Sequence, residues 1–171
     1  MRRADREMGA DFAFEVFDMA PFVTVSMVNP KGEPYSVPLS LVREGEKTFY
    51  FHCAAEGEKL DCIRLNQDVY LSAVTLCRPT VSPREGEFTL QYKSATARGV
   101  AEIVADFAEK TFALEKICQK FLPEHMNAFQ GALEQSLHLT AVVKITLTEP
   151  PVGKRKLYGP DGNELKWGQA E

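Results

Sequence analysis

Residues 48–65 constrain the fold most, because a short strand there leads almost directly into a helix. The strand is rich in aromatic residues and ends at His52. After a turn of small residues, a helix is predicted over 57–65 with Lys59 in its first turn. The unpaired N–H groups at a helix N-terminus attract anions, phosphate above all. This segment therefore predicts a phosphate-bearing cofactor held beside the end of a strand.

Much of the remaining chain has apolar residues at every second position, which is typical of β-strands. The predicted strands cover 22–28, 35–42, 48–53, 69–77, 88–104 and 138–148. The inward positions of 88–104 are small, which suits a crowded barrel interior; they include Ala95, Ala97, Gly99 and Ala101. About six strands with peripheral helices predict a mainly β (α+β) protein built on a small, mostly antiparallel barrel.

Three further stretches have helical periodicity or helix-start signals, at 1–19, 106–121 and 123–136. The second begins with a capping box formed by Asp106 and Glu109, and the third begins with Pro123 at its first position. Because 171 residues fit one domain, we expect a single domain over 1–171 with its barrel over 22–148. A charged, turn-rich tail is expected over 149–171.

Composition excludes several functional classes. The net charge is −4 and the basic residues are not concentrated in one patch, which argues against a nucleic-acid partner. The four cysteines show neither a C-x-x-C pair nor zinc spacing, so no metal site is expected. No apolar run is long enough to span a membrane, and no signal peptide is apparent. These features predict a cytoplasmic protein with reduced thiols.

The order of these segments resembles the FMN-binding split-barrel superfamily, the fold of pyridoxamine 5′-phosphate oxidase. The resemblance is closest to the branch of the 5-nitroimidazole-resistance flavoproteins. It is carried, in chain order, by residues 1–7, 34–40, 49–61, 94–102 and 153–156. It implies a six-stranded antiparallel split barrel with peripheral helices that binds FMN, and a homodimer with flavin sites at the subunit interface.

The resemblance also assigns site residues. The flavin ring would lie against the strand that contains Val37, Pro38, Leu39 and Ser40. The ring and ribityl chain would be bordered by Phe51, His52, Cys53 and Ala54, with Lys59 on the phosphate and Ser94 and Thr96 as further polar contacts.

Two positions depart from the pattern of the relatives. Cys53 stands where many relatives have a hydroxyl residue, and Glu58 stands where the oxidases carry a second basic residue. The phosphate charge would therefore be less fully neutralised, and oxidase activity on pyridoxamine phosphate is not implied.

The leading hypothesis is an FMN-dependent oxidoreductase with His52 as its candidate catalytic residue. It would pass electrons from a nicotinamide or another donor to a small acceptor, for which a nitro-aromatic compound is a candidate. One alternative is a non-redox module that binds flavin or haem, with His52 as an axial ligand. Another is a barrel without a cofactor that acts as a dimeric interaction protein. Cys53 is expected to be a small buried residue rather than a nucleophile, and Trp167 either caps a flavin across the dimer or simply packs.

Overall fold

The computed structural model describes residues 3–84, 86–166 and 168–169. The four α-helices of this part of the chain are α1 (Ala10–Met19), α2 (Glu58–Leu65), α3 (Phe107–Phe121) and α4 (Phe129–Ser136). Its nine strands are β1 (Glu7–Met8), β2 (Val23–Val28), β3 (Pro34–Leu39), β4 (Val42–Glu44), β5 (Thr48–Ala54), β6 (Asp68–Val81), β7 (Phe88–Ile103), β8 (Thr140–Leu147) and β9 (Val152–Lys156). A mostly β protein with a few helices confirms the predicted class.

Nine strands are found where about six were expected, and the difference has two sources. The predicted strand over 35–42 is divided into β3 and β4 at Ser40 and Leu41. In addition, β1 and β9 pair with each other in segments that were assigned to the N-terminal helix and to the tail. Both segments are too short and too charged to show an apolar alternation, so only their backbone pairing reveals them.

Two predicted helices are shorter than expected. The N-terminal helix begins at Ala10 rather than near residue 1, because Gly9 is extended and the residues before it pair as β1. The stretch 123–136 is a 3₁₀-helix over Pro123–Ala128 followed by α4. The capping box is confirmed, since the Asp106 carboxylate accepts a hydrogen bond of 2.7 Å from the backbone N–H of Glu109.

The chain divides into two compact units. One consists of Phe22–Leu71 and Arg98–Glu149, and is called here the site unit. The other consists of the described residues of Met1–Pro21, Ser72–Ala97 and Pro150–Glu171, and is called the terminal unit. The assignment of 1–171 to a single domain stays a prediction.

In the site unit the strand order is β3-β2-β6-β7-β8-β5-β4, with β6 and β7 contributing only their ends. Phe49 and Phe51 of β5 are buried on one face of the sheet. On the opposite face Tyr50 packs in a cluster with residues of α3, including Ala113 and Ile117. Because β5 is covered on both faces, its course toward His52 is rigidly defined.

Close packing along β7 agrees with the small inward residues of its sequence. Ala101 is completely buried in the site unit. A Cβ atom on Gly99 would lie only 2.7 Å from Cγ2 of Ile145 and 3.0 Å from the carbonyl oxygen of Thr146. The backbone of β8 therefore leaves no room for a side chain at this position.

In the terminal unit β9 pairs with β1 on one side and with residues 92–96 of β7 on the other. Arg6 forms two hydrogen bonds of 2.6 and 2.8 Å with the Glu164 carboxylate. The buried Arg155 donates to the carbonyl groups of Lys166 and Gln169 at 3.1 and 2.6 Å. Arg6, from the motif at residues 1–7, and Arg155, from the motif at residues 153–156, therefore both form hydrogen bonds with the tail.

Candidate functional site

The end of β5 carries four of the predicted site residues. Phe51, His52, Cys53 and Ala54 pair with Val143, Val142, Ala141 and Thr140 of β8, respectively. Successive side chains of a strand point to opposite faces. His52 therefore lies on the face of Tyr50 and α3, whereas Cys53 lies on the face of Phe51. A ligand that touches both residues must lie across the end of the strand.

His52 is suited to remain uncharged near neutral pH. More than a third of its surface is exposed, but its pKa is lowered because neighbouring protein atoms displace water and disfavour the imidazolium. Its cross-strand partner Val142 is completely buried. A neutral imidazole presents one hydrogen-bond donor and one acceptor to a bound molecule.

The turn after β5 places the start of α2 beside the strand end. Gly57 is the N-cap residue and adopts φ 132° and ψ 163°, a conformation that L side chains rarely reach. Its carbonyl accepts from the N–H groups of Leu60 and Asp61 at 2.9 and 3.3 Å. In the described part of the chain, no side chain caps this helix and no protein acceptor meets the N–H groups of Glu58 and Lys59. Such groups are the donors that an anion uses.

Lys59 is half-buried and has no carboxylate within ion-pair distance among the described residues. Burial raises the pKa of Cys53, and the positive charge of Lys59 opposes that rise. The two predicted site residues are therefore close enough to interact electrostatically. The raised pKa keeps Cys53 a thiol at neutral pH, in line with the expectation that it is no nucleophile; it is half-buried rather than buried.

Strand β3 lies at the end of the strand order, a position that tolerates Pro38 because proline has no backbone N–H to donate. Val37, Pro38 and Leu39 pair with Val25, Thr24 and Val23 of β2. Val37 and Leu39 are half-buried, whereas Pro38 and Ser40 are exposed. The role of this strand in flavin binding stays a prediction.

Ser94 and Thr96 belong to the terminal unit, whereas the other predicted site residues belong to the site unit. Both are half-buried on β7 opposite β9, and the Ser94 hydroxyl lies 3.4 Å from the carbonyl oxygen of Lys154. Their part in a common site stays a prediction. Trp167 lies outside the described residues.

Sequence reasoning missed Asn29 as a residue of this region. The Asn-Pro-Lys-Gly sequence correctly predicts the turn between β2 and β3. It does not reveal that the Asn29 side chain also reaches Glu58, the first residue of α2, at 3.4 Å. The two residues are 29 positions apart, so only the fold brings them together.

Comparisons with known proteins identify the family of the chain. Residues 10–152 match the model of the pyridoxamine 5′-phosphate oxidase family. The chain belongs to this family. No curated protein matches its sequence. Among the described residues, no helix is long and apolar enough to cross a bilayer.

Solved structures of several proteins share the fold. A candidate 5-nitroimidazole antibiotic resistance protein from Bacteroides thetaiotaomicron is 20% identical, with a TM-score of 0.71, and the match covers 88% of this chain and 87% of that one. An FAD- and haem-binding protein from Mycobacterium smegmatis is also 20% identical, with a TM-score of 0.74 over 88% and 73% of the two chains. A flavocytochrome from Azotobacter vinelandii is 18% identical, with a TM-score of 0.73 over 94% and 79%. These similarities confirm the predicted split-barrel fold, in a family that includes flavin- and haem-binding proteins.

Proposed function

We propose that the chain is an FMN-binding oxidoreductase that reduces a small acceptor with electrons from a nicotinamide or another donor. The observation that carries this proposal is the half-buried Lys59 beside the uncapped start of α2 and the end of β5. Lys59 has no carboxylate partner in the part of the chain that the structure describes, and its place at an anion-attracting helix terminus favours a bound anion. In a member of this family, a flavin phosphate is the anion that fits best.

The site unit offers residues of the types that would bind FMN. Lys59 and the N–H groups of Glu58 and Lys59 would hold the phosphate, and Cys53 and Ala54 would border the ribityl chain. The strand from Val37 to Ser40 would lie against the ring. The flavin supplies the redox chemistry when bound, while the protein orients it and excludes water.

His52 is the proposed catalytic residue. Its neutral imidazole would donate a hydrogen bond to the acceptor or supply a proton at the open end of β5. His52→Ala should lower turnover while the flavin spectrum is retained. A residue that is only structural would instead cost stability and leave kcat unchanged.

FMN is proposed rather than FAD because the site unit offers one phosphate-sized anion site. The sequence contains no G-x-G-x-x-G turn to hold a pyrophosphate. An absorption spectrum of the purified protein, followed by mass spectrometry of the released cofactor, tests the proposal. Flavin bands and the mass of FMN are expected, and FAD as the native species would contradict the choice of cofactor.

A second candidate is a non-redox module that binds haem or flavin. It is favoured by the exposed imidazole of His52, which suits an axial ligand, and by the haem-binding proteins among the structural neighbours. A Soret band that is lost in His52→Ala would support it. Neither flavin nor Soret bands would instead favour a barrel that acts only as an interaction protein.

A homodimer with flavin sites at its interface is part of the proposal. A flavin ring that lies on an exposed strand edge presents an apolar face, which a second subunit can cover.

A further inference from the structure

Asn29 is almost completely buried, at 8% exposure, and every hydrogen-bonding group of its side chain is used. Its carbonyl oxygen accepts from the backbone N–H groups of Lys31 and Glu33 at 3.0 and 2.9 Å. Its amide nitrogen donates to the carboxylates of Glu33 and Glu58 at 3.0 and 3.4 Å. The oxygen therefore shapes the β2–β3 turn, and the nitrogen connects that turn to α2.

The contact with Glu58 connects the β2–β3 turn to the start of α2. Glu58 is the first helical residue and directly precedes Lys59, and no side chain caps the helix among the described residues. A free carboxylate in the first turn would be drawn to the unpaired N–H groups of its own helix. Held by Asn29, the Glu58 carboxylate leaves those groups to an incoming anion.

We infer that Asn29 is a positioning residue for the flavin phosphate, acting through Glu58 to keep the start of α2 ordered and open. This inference rests on the proposed FMN site. It also gives a structural role to Glu58, the acidic residue that stands where the oxidases carry a second basic residue. The carboxylate of Glu58 connects α2 to Asn29 and does not contact the phosphate.

The first variant that tests this contact is Asn29→Asp. Aspartate keeps the oxygen that accepts from the N–H groups of Lys31 and Glu33, but it cannot donate to the carboxylates of Glu33 and Glu58. The Glu58 variants described below separate the two lost bonds. Affinities for FMN and for riboflavin, which lacks the phosphate, are measured by quenching of flavin fluorescence. The FMN affinity should fall about tenfold, as expected for one displaced charge-assisted contact, while the riboflavin affinity stays within about twofold. A general destabilisation of the protein would instead lower the affinities for FMN and for riboflavin by the same factor.

Asn66→Asp is the matched control. Asn66 lies at the other end of α2, and its carbonyl oxygen accepts from the N–H of Asp68 at 3.0 Å, a bond that aspartate also makes. The same added charge at this position should leave the ratio of FMN to riboflavin affinity unchanged.

A reciprocal exchange separates the hydrogen bond from the added charge. In the double variant Asn29→Asp with Glu58→Gln, the new glutamine amide can donate to the new aspartate, and the total charge equals that of the wild type. The FMN affinity should exceed the value expected from the two single variants by about tenfold or more. Additive effects would overturn the inference.

Glu58→Asp tests the same contact if Asn29→Asp alone does not fold. It keeps the charge but withdraws the carboxylate from Asn29 by one methylene, and the same selective loss of FMN affinity is expected. If wild-type protein binds FMN no better than riboflavin, the proposed phosphate site is wrong. If wild-type protein prefers FMN and that preference survives in Asn29→Asp or Glu58→Asp, the role of Asn29 is wrong and the site remains.

Discussion

Lys59 is the single residue whose replacement best separates phosphate binding from the stability of the fold. Lys59→Ala should weaken FMN binding about ten- to a hundredfold, because a charge-assisted bond to phosphate contributes about 1.5–3 kcal/mol. Titration with FMN and riboflavin measures the loss, which should be confined to FMN. Lys47→Ala, at an exposed lysine in the turn before β5, serves as the control and should bind FMN like the wild type. Unchanged FMN affinity in Lys59→Ala would disprove the phosphate site.

His52 should make the stability of the protein depend on pH. Its pKa is lowered in the folded state by loss of water contact, whereas the unfolded residue titrates near 6.5. The unfolded chain therefore binds the proton more readily, and the stability present above pH 6.5 is lost as the pH falls toward the folded pKa.

Urea unfolding of wild-type protein and His52→Gln at pH 7.5 and pH 5.5 measures this effect. The wild type should lose more stability between the two pH values than the variant, because only the wild type has His52. The contributions of His125 and His138 are common to both proteins and cancel in the comparison. Equal losses would show that His52 is as well solvated in the folded state as in the unfolded chain.

The sequence predicts the polar residues of the candidate site better than the residues that support them. His52 and Lys59 were predicted because a strand end and a helix start adjoin them in the chain. Asn29 shapes a local turn that the sequence predicts, but its second role depends on a contact with Glu58 across the fold. Neither residue type nor spacing signals such a contact.

Among the elements, β7 offers the sharpest test of packing, through Gly99. A Cβ on Gly99 would overlap Ile145 and the backbone of Thr146 on β8, and backbone atoms cannot move aside cheaply. Gly99→Ala should therefore destabilise the protein by about 1–3 kcal/mol, the usual cost of overpacking. Chemical denaturation measures the change.

Gly131→Ala is the matched control for this prediction. Gly131 lies within α4, and a Cβ there would meet nothing within 4 Å. Alanine should stabilise the helix by about 0.5–1 kcal/mol, because glycine loses more backbone freedom on folding. A similar loss of stability in both variants would mean that the close approach of β7 and β8 is not the reason why position 99 requires glycine.

Elements with a strong periodic pattern were predictable, and elements defined by pairing alone were not. The alternation of β2 and β5 and the capping box of α3 gave boundaries within about one residue of those observed. The pair formed by β1 and β9 depends on hydrogen bonds between chain segments some 145 residues apart. Its sequences are short and charged, so they carry no local signal of a strand.

At the scale of the whole molecule, we expect a homodimer. Phe88 is 93% exposed at the end of the β6–β7 hairpin, and Val81 and Leu90 of the same hairpin are also exposed. The backbone N–H of Ser82 donates to the carbonyl of Glu87 at 2.8 Å, which places Val81 opposite Phe88. Adjacent exposed apolar side chains are typical of a surface that another chain covers.

Sedimentation of the flavin-loaded protein at micromolar concentration should give a dimer, and Phe88→Glu should shift it toward monomer. Phe107→Glu is the control, since Phe107 is also exposed but lies at the first position of α3, where glutamate is favourable. Because the flavin sites are proposed to lie at the interface, Phe88→Glu should also bind FMN more weakly, and its affinity should recover as protein concentration rises. A stable monomer that keeps its flavin would contradict both the dimer and the interfacial site, since a site completed by a second subunit cannot hold its ligand without it.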